Sequence, residues 1–209
     1  MSQEDKIKRI LELENGGEKY SDESWNDSSS VPQYIPYTNE MRQYIILPED
    51  GYQAYLEREY IKIREKGFDD ISTIAKNTGI SEMELYKMKK HVFLDTHMIS
   101  VNGKPLEKFY FQADSEIAYA WKQAMKRKLS LDEKEWFEQL VKHELAESSY
   151  MKQGMPLRDP STFINGMFQV DPLKNAHDKA NITAPQPGDY PGHDWSEEFM
   201  KYVNDKIEY

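Results

Sequence analysis

SLDEKEWFEQLVKHELAESSYMKQG, residues 130–154, is the stretch whose reading decides the fold class. Ser130 and Glu133 have the spacing of a capping box, in which the serine hydroxyl takes the third backbone N–H and the glutamate returns to the first. Gly154 is a stop, because glycine adopts the left-handed conformation that ends helices. The spacing therefore predicts one long helix, Leu131 to Gln153, and a chain able to build it needs other helices to cover its apolar side.

Those helices are legible on either side. Ser115 to Arg127 places Ile117, Ala120, Trp121 and Ala124 on one face. From Asp50, Tyr52, Tyr55, Leu56, Tyr60 and Ile63 recur at three and four residues as far as Gly67. Ile71, Ile74 and Ala75, a turn at Asn77-Thr78-Gly79, then Ile80, Ser81, Leu85 and Met88 read as a helix-turn-helix, with Ser81 and Glu84 as a second capping box. Met98 to Val101 and Lys108 to Gln112 flank Asn102-Gly103, whose residues supply the positive φ of a hairpin turn. After an irregular run through Pro156, Pro160 and Gly166, a short helix is expected near Pro172 to Ala180, and a last one from Ser196 to about Ile207. The fold class expected is mainly α, a multi-helix orthogonal domain with one small β-hairpin. Its organisation is an N-terminal helix over residues 1–15, a linker or surface strap over 16–38 and a main helical domain over 39–209.

Composition narrows the partners. The chain of 209 residues has 27 Lys+Arg against 37 Asp+Glu, a formal charge of -10, which opposes general attraction to nucleic acid or anionic membranes. The helix-turn-helix adds no DNA-binding expectation, because its second helix opens with Ser81-Glu82-Met83-Glu84, acidic where phosphates would lie. Lys122, Lys126, Arg127 and Lys128 read as a solvated face. No apolar run approaches the ~20 residues of a membrane span, and Met1 to Asn15 lacks the apolar core of a signal peptide. A soluble protein is expected, which a specialised machine or a larger parent polypeptide would have to carry if it leaves its cell. Cysteine is absent, so any metal must be held by imidazole and carboxylate.

All five histidines fall after residue 90. In Lys142-His143-Glu144-Leu145-Ala146-Glu147, helical geometry stacks His143 and Glu147 on one face, with Glu144 turned away by about 100°. This is the HExxH spacing of metallopeptidases with glutamate in place of the second histidine. By that analogy His143 and Glu147 are metal ligands and Glu144 is the base that activates water. The same letters also fit a solvated helical face with His143 half buried. Two further segments offer partners. In Lys90-His91-Val92-Phe93-Leu94-Asp95-Thr96-His97 the histidines are either ligands and acid–base groups or the caps of a helix end. In Asn175-Ala176-His177-Asp178, His177 is a candidate third ligand. His193 is expected in a helix-entry turn capped by Asp194 or Ser196.

Taken in order, Gly79-Ile80-Ser81, Lys90-His91-Val92-Phe93, Asp95 and His97, the aromatic hairpin, Ala120-Trp121, the Lys142-His143-Glu144-Leu145 helix and Ala176-His177 resemble an α-rich domain. That domain is found at the C-terminal ends of bacterial polymorphic-toxin and phage head-morphogenesis-like proteins. The likeness covers approximately Phe68 to the C-terminus. It implies a protein of the bacterial cytoplasm or a secreted or injected effector, with a cognate immunity protein, and it draws attention to Lys90, His91, His97, Lys142, His143, Glu144, Glu147 and His177. The excursion from Met151 to Asn175 and the proline-rich loop before the last helix depart from the pattern and bear on where His177 lies.

Three functional readings follow. The first is a toxin-like hydrolase in which His143 and Glu147, with His177 or a residue of the His91–His97 segment, hold a divalent metal, zinc by ligand type, and Glu144 activates water for attack on a peptide or a phosphodiester. The second is a metal-independent, ribonuclease-like toxin with His91 and His143 as acid and base and Lys90 or Lys142 stabilising charge. The third is a non-catalytic phage or secretion-system adaptor.

Overall fold

The computed structural model describes residues 44–45 and 51–207, with the side chains of Trp195, Lys201 and 204–207 left aside. The helix expected over residues 1–15 and the strap over 16–38 lie outside the described residues.

Seven α-helices and two short hairpins make up the described chain: α1 (Gly51–Glu65), α2 (Ile71–Thr78), α3 (Glu82–Lys89), β1 (His97–Ile99), β2 (Glu107–Phe109), α4 (Ser115–Lys126), α5 (Leu131–Lys152), β3 (Phe163–Ile164), β4 (Met167–Phe168), α6 (Ala176–Thr183) and α7 (Trp195–Ile207). The fold is mainly α, as the periodicity predicts. Helix α5 begins at the expected capping box: Ser130 Oγ accepts from Glu133 N at 3.3 Å, and Ser130 N donates to Glu133 Oε2 at 2.7 Å. Glu133 also receives two hydrogen bonds from Arg127 and one from the Tyr190 hydroxyl, so this cap ties the start of α5 to the loop before α7.

One core runs through these helices. Leu56, Tyr60 and Ile63 of α1, Ile71 and Ile74 of α2, Leu85 and Met88 of α3, Trp121 and Ala124 of α4, and Phe137, Leu140 and Val141 of α5 are all buried in it. Removing apolar surface from water at roughly 25 cal/mol per Å² drives this assembly. At its centre lies an ion pair. Lys89 Nζ donates to both oxygens of Asp70 at 2.7 Å, and Trp121 Nε1 donates to Asp70 Oδ2 at 2.9 Å. Asp70 stands at the N-cap of α2, yet its side chain makes no capping bond, because the carboxylate is turned inward to Lys89.

Two local features position histidines. Where α3 is expected to run on to His91, the chain widens at Lys90–Leu94 into a π-helical turn, closed by Asp95 N donating to Lys90 O at 2.7 Å. Such a bulge rotates the following side chains relative to an unbroken α-helix. The second is a hairpin the sequence reading leaves irregular, Phe163–Ile164 against Met167–Phe168. Its turn, Asn165-Gly166, has φ of 53° and 82°, the same Asn-Gly chemistry as Asn102-Gly103 in the first hairpin. The two hairpins touch. A Cβ on Gly103 would stand 2.7 Å from a ring carbon of Phe163, and Gly103 also has φ of 72°, so both space and backbone require glycine there.

Candidate metal centre

The long helix brings His143, Glu144 and Glu147 to the interior. His143 is fully buried, and Glu144 and Glu147 are nearly so. The solvated-face alternative is thereby corrected: the apolar side of α5 is wide enough to take all three inward, while Lys142 alone of the motif's polar residues stays outside. Its side chain is 70 % exposed and lies 3.6 Å from Glu138. Lys142, expected as a charge-stabilising residue, therefore points away from the site. Lys90 is paired with Asp95 at 2.8 Å, on an exposed edge.

The other two histidine segments converge on α5. His91, carried by the π-helical turn, places Nε2 3.3 Å from Glu147 Oε1 and 3.9 Å from Glu144 Oε2. His177, in the first turn of α6, places Nδ1 2.9 Å from Glu147 Oε2. The rings of His143 and His177 stand nearly perpendicular, 5.2 Å apart. The excursion from Met151 to Asn175, which departs from the pattern of the resemblance, is what holds His177. Ala176 N donates to Pro156 O at 2.9 Å and His177 N to Leu157 O, so carbonyls of the irregular segment satisfy the first amides of α6. Buried Asn175 fastens the same loop, accepting from Asp159 N and donating to Asp178 Oδ2 and Gln169 O. Helix α6 itself begins later than proline at residue 172 suggests, because Asp171 and Asn175 organise a turn ahead of it.

His97 does not join the centre. Its Nε2 lies 2.8 Å from the His91 carbonyl oxygen and its ring stacks on Phe111 at 4.3 Å, with Phe111 also edge-on to His91. It orients the backbone and ring of His91 and is corrected from ligand to support. His193 lies elsewhere, between Glu198 at 3.1 Å and Glu116 at 3.7 Å, with its ring against Tyr119. Asp194 accepts from Ser196 at the start of α7, as expected.

The polar bookkeeping of the centre has one gap. His143 Nδ1 lies 2.9 Å from the Ala184 carbonyl oxygen, which fixes it as the protonated nitrogen. Burial pushes the His143 imidazole below its ordinary pKa, with the Ala184 bond working the other way, so the ring is neutral at pH 7. Its Nε2 then carries a lone pair, is buried, and has no hydrogen-bond partner. The nearest carboxylate oxygen, Glu147 Oε2, is 3.8 Å away and also an acceptor. Two acceptors facing each other in a dry interior are unfavourable unless a cation or a proton stands between them.

The two carboxylates are driven apart. Burial, then the charges of Glu147 and Asp114, raise Glu144 well above the usual carboxylate range. Burial opposes ionisation of Glu147 too, but hydrogen bonds from His177 and His91 outweigh it and hold Glu147 low. Without a cation, Glu144 is thus the carboxyl that holds its proton more readily and Glu147 the one that gives it up, a separation typical of acid–base sites.

Two groups in this cluster have ligand atoms close enough to hold a metal ion: His143, Glu147 and His177, and His91, Glu144 and Glu147, with the atoms of each group within 4.8 Å of one another. His177 gives the cluster its contact with solvent, its side chain being 18 % exposed. Asn181, which the sequence reading passes over, lies with Nδ2 3.2 Å from His177 Nε2. It is one turn along α6 from His177, and that i,i+4 spacing is the signal that would have found it. Among the described residues no helix is long and apolar enough to cross a membrane.

Comparison of the chain with protein-family models, with curated proteins and with solved structures found no match in any of the three.

Proposed function

We propose that this chain is a divalent-metal hydrolase of the toxin-effector kind, in which His143, Glu147 and His177 hold the ion and Glu144, whose carboxylate form the charge of a bound ion would favour, accepts a proton from the attacking water. The observation that carries the reading is the buried, unpartnered Nε2 of His143, aimed at a carboxylate. A cation held between them gives the His143 lone pair the partner it lacks. Two imidazoles and one carboxylate form a set well suited to zinc, and three protein ligands leave a fourth position for water. The bound ion supplies Lewis acidity and lowers the pKa of that water.

The chain's own residues do the rest. Ala184 O fixes the His143 tautomer, Asn181 contacts the outer nitrogen of His177, and His97 with Phe111 sets the ring of His91. His91, 3.9 Å from Glu144, is placed to pass a proton to or from that carboxyl group. The effector role and a cognate immunity protein as partner rest on the resemblance of the ordered segments from Phe68 onward. The substrate is a peptide or a phosphodiester, reached from the side of His177.

The test is elemental analysis of the purified, chelator-rinsed and zinc-reconstituted protein beside His143→Ala and Glu147→Ala, with thermal melts to establish folding. At least one equivalent of zinc in the parent, reduced in the folded variants, is expected, together with retention of metal but loss of turnover in Glu144→Gln. A parent that takes up no zinc and gains no thermal stability from zinc or manganese would overturn the reading.

A further inference from the structure

Glu147 presents its two oxygens to different partners. Oε2 faces His177 at 2.9 Å and His143 at 3.8 Å, whereas Oε1 faces His91 at 3.3 Å. We infer that the centre holds two divalent cations bridged by the Glu147 carboxylate, the second bound by His91 and Glu144. This rests on the metal-hydrolase reading above and extends it from one ion to a pair.

The geometry carries the inference on three points. Each group of three has its ligand atoms within 4.8 Å, and Glu147 is the one member common to both. A carboxylate with one oxygen on each ion spans ~3.5–4 Å, the separation found in two-metal hydrolytic sites. The second group is also built, not merely adjacent. The π-helical turn at Lys90–Leu94 aims His91 inward, His97 Nε2 donates to the His91 carbonyl, and Phe111 packs edge-on to its ring. Metal-ligating imidazoles are held in this way by neighbours that fix their orientation. His91, Glu144 and Glu147 are each buried, so two carboxylates have been brought together away from solvent, and a divalent ion compensates them.

The ligand types differ between the two positions. His143, His177 and one oxygen of Glu147 favour zinc, while Glu144, His91 and the other oxygen of Glu147 are richer in oxygen and suit manganese. Both ions together would carry four positive charges against two carboxylates, a net excess of two in a buried cluster. That excess favours a substrate with anionic oxygens, a phosphodiester over a peptide. In the doubly loaded protein Glu144 is a ligand, and the water shared by the cations is acidified by both; in the singly loaded protein Glu144 remains the proton acceptor.

Manganese titration of the full chain tests this, with bound metal counted after gel filtration and low-temperature electron paramagnetic resonance of the loaded protein. Two equivalents per chain are expected, with the hyperfine pattern of a spin-coupled pair, lines at half the spacing of an isolated ion. His91→Ala is expected to keep one equivalent and show only the isolated-ion pattern. Glu144→Gln, which preserves shape, is expected to do the same and serves if His91→Ala does not fold. A parent saturating at one equivalent that is lost in His177→Ala would overturn the pair and leave the single-ion hydrolase standing. A coupled spectrum unchanged in folded His91→Ala and Glu144→Gln would overturn the ligand assignment, and no manganese bound at all would overturn both proposals.

Discussion

His91 Nε2 lies 3.3 Å from Oε1 of Glu147, although 56 residues separate them in the chain. That contact joins the π-helical turn after α3 to the centre of α5, and the same carboxylate receives His177 from α6 on its other oxygen. Glu147 is thus the residue on which three segments meet, and its loss has the widest consequences.

With zinc at 100 times the parent's Kd, ligand binding stabilises the folded state by ~2.7 kcal/mol. For a chain of this size that corresponds to a rise in Tm of roughly 5–10 °C. Glu147→Gln removes the carboxylate common to both ligand groups. Its expected rise at the same zinc concentration is near zero by differential scanning calorimetry, while Lys142→Ala, on the exposed side of the helix, retains the parent's full response.

Asn181 touches the outer nitrogen of His177. When Nδ1 of His177 holds a metal, Nε2 carries the proton, and the Asn181 amide turns its oxygen to accept it. Asn181→Ala is expected to weaken zinc binding by roughly 10-fold or more without a comparable loss of stability in the metal-free protein. Competition with a chromophoric chelator measures the first quantity and a metal-free melt the second.

Asp70 and Lys89 form a buried pair with no exposure at Lys89. Truncating one partner leaves an uncompensated charge in the core and strands Trp121 Nε1 as well. Asp70→Ala is expected to cost about 3–5 kcal/mol in urea unfolding. The double substitution Asp70→Ala with Lys89→Met is expected to recover a substantial part of that loss, because no unpaired ammonium then remains buried.

Arg127 beside Glu133, working against burial and joined by bonds from Ser130 and Tyr190, holds the Glu133 carboxyl at about 2, below its ordinary 4.5. A depressed carboxylate stabilises the fold at pH above its unfolded value and loses that contribution as pH falls through its folded value. The stability advantage of the parent over Glu133→Gln is therefore expected in full above pH 4.5, shrinking towards pH 2. The parent at neutral pH exceeds the variant by roughly 1 kcal/mol, the scale of a lost cap. Chemical denaturation of both at a series of pH values checks the trend.

Much of this molecule follows from local rules that act within a few residues. Ser130 and Glu133 open α5, Asp114 caps α4 through Ile117 N, and Asn102-Gly103 turns the first hairpin, because each needs only the backbone beside it. Helical spacing likewise puts His143 and Glu147 one turn apart, so a candidate ligand pair is visible without any fold. The Asn165-Gly166 turn obeys the same chemistry, but its strands are two residues long, too short to show alternation.

Sequence alone determined the long helix α5 with its capping box, the helical periodicity around it and the His143–Glu147 pairing; the tertiary structure decided which of the neighbouring polar side chains belong to a site. A helix has the same spacing whichever way it faces, and only packing against the core turns Glu144 inward and Lys142 outward. The approach of His91 and His177 depends on a widened turn and on an irregular loop whose carbonyls cap α6. Those contacts span dozens of residues, and they form because burying the apolar faces of α1 to α5 in one core carries these side chains to the same place.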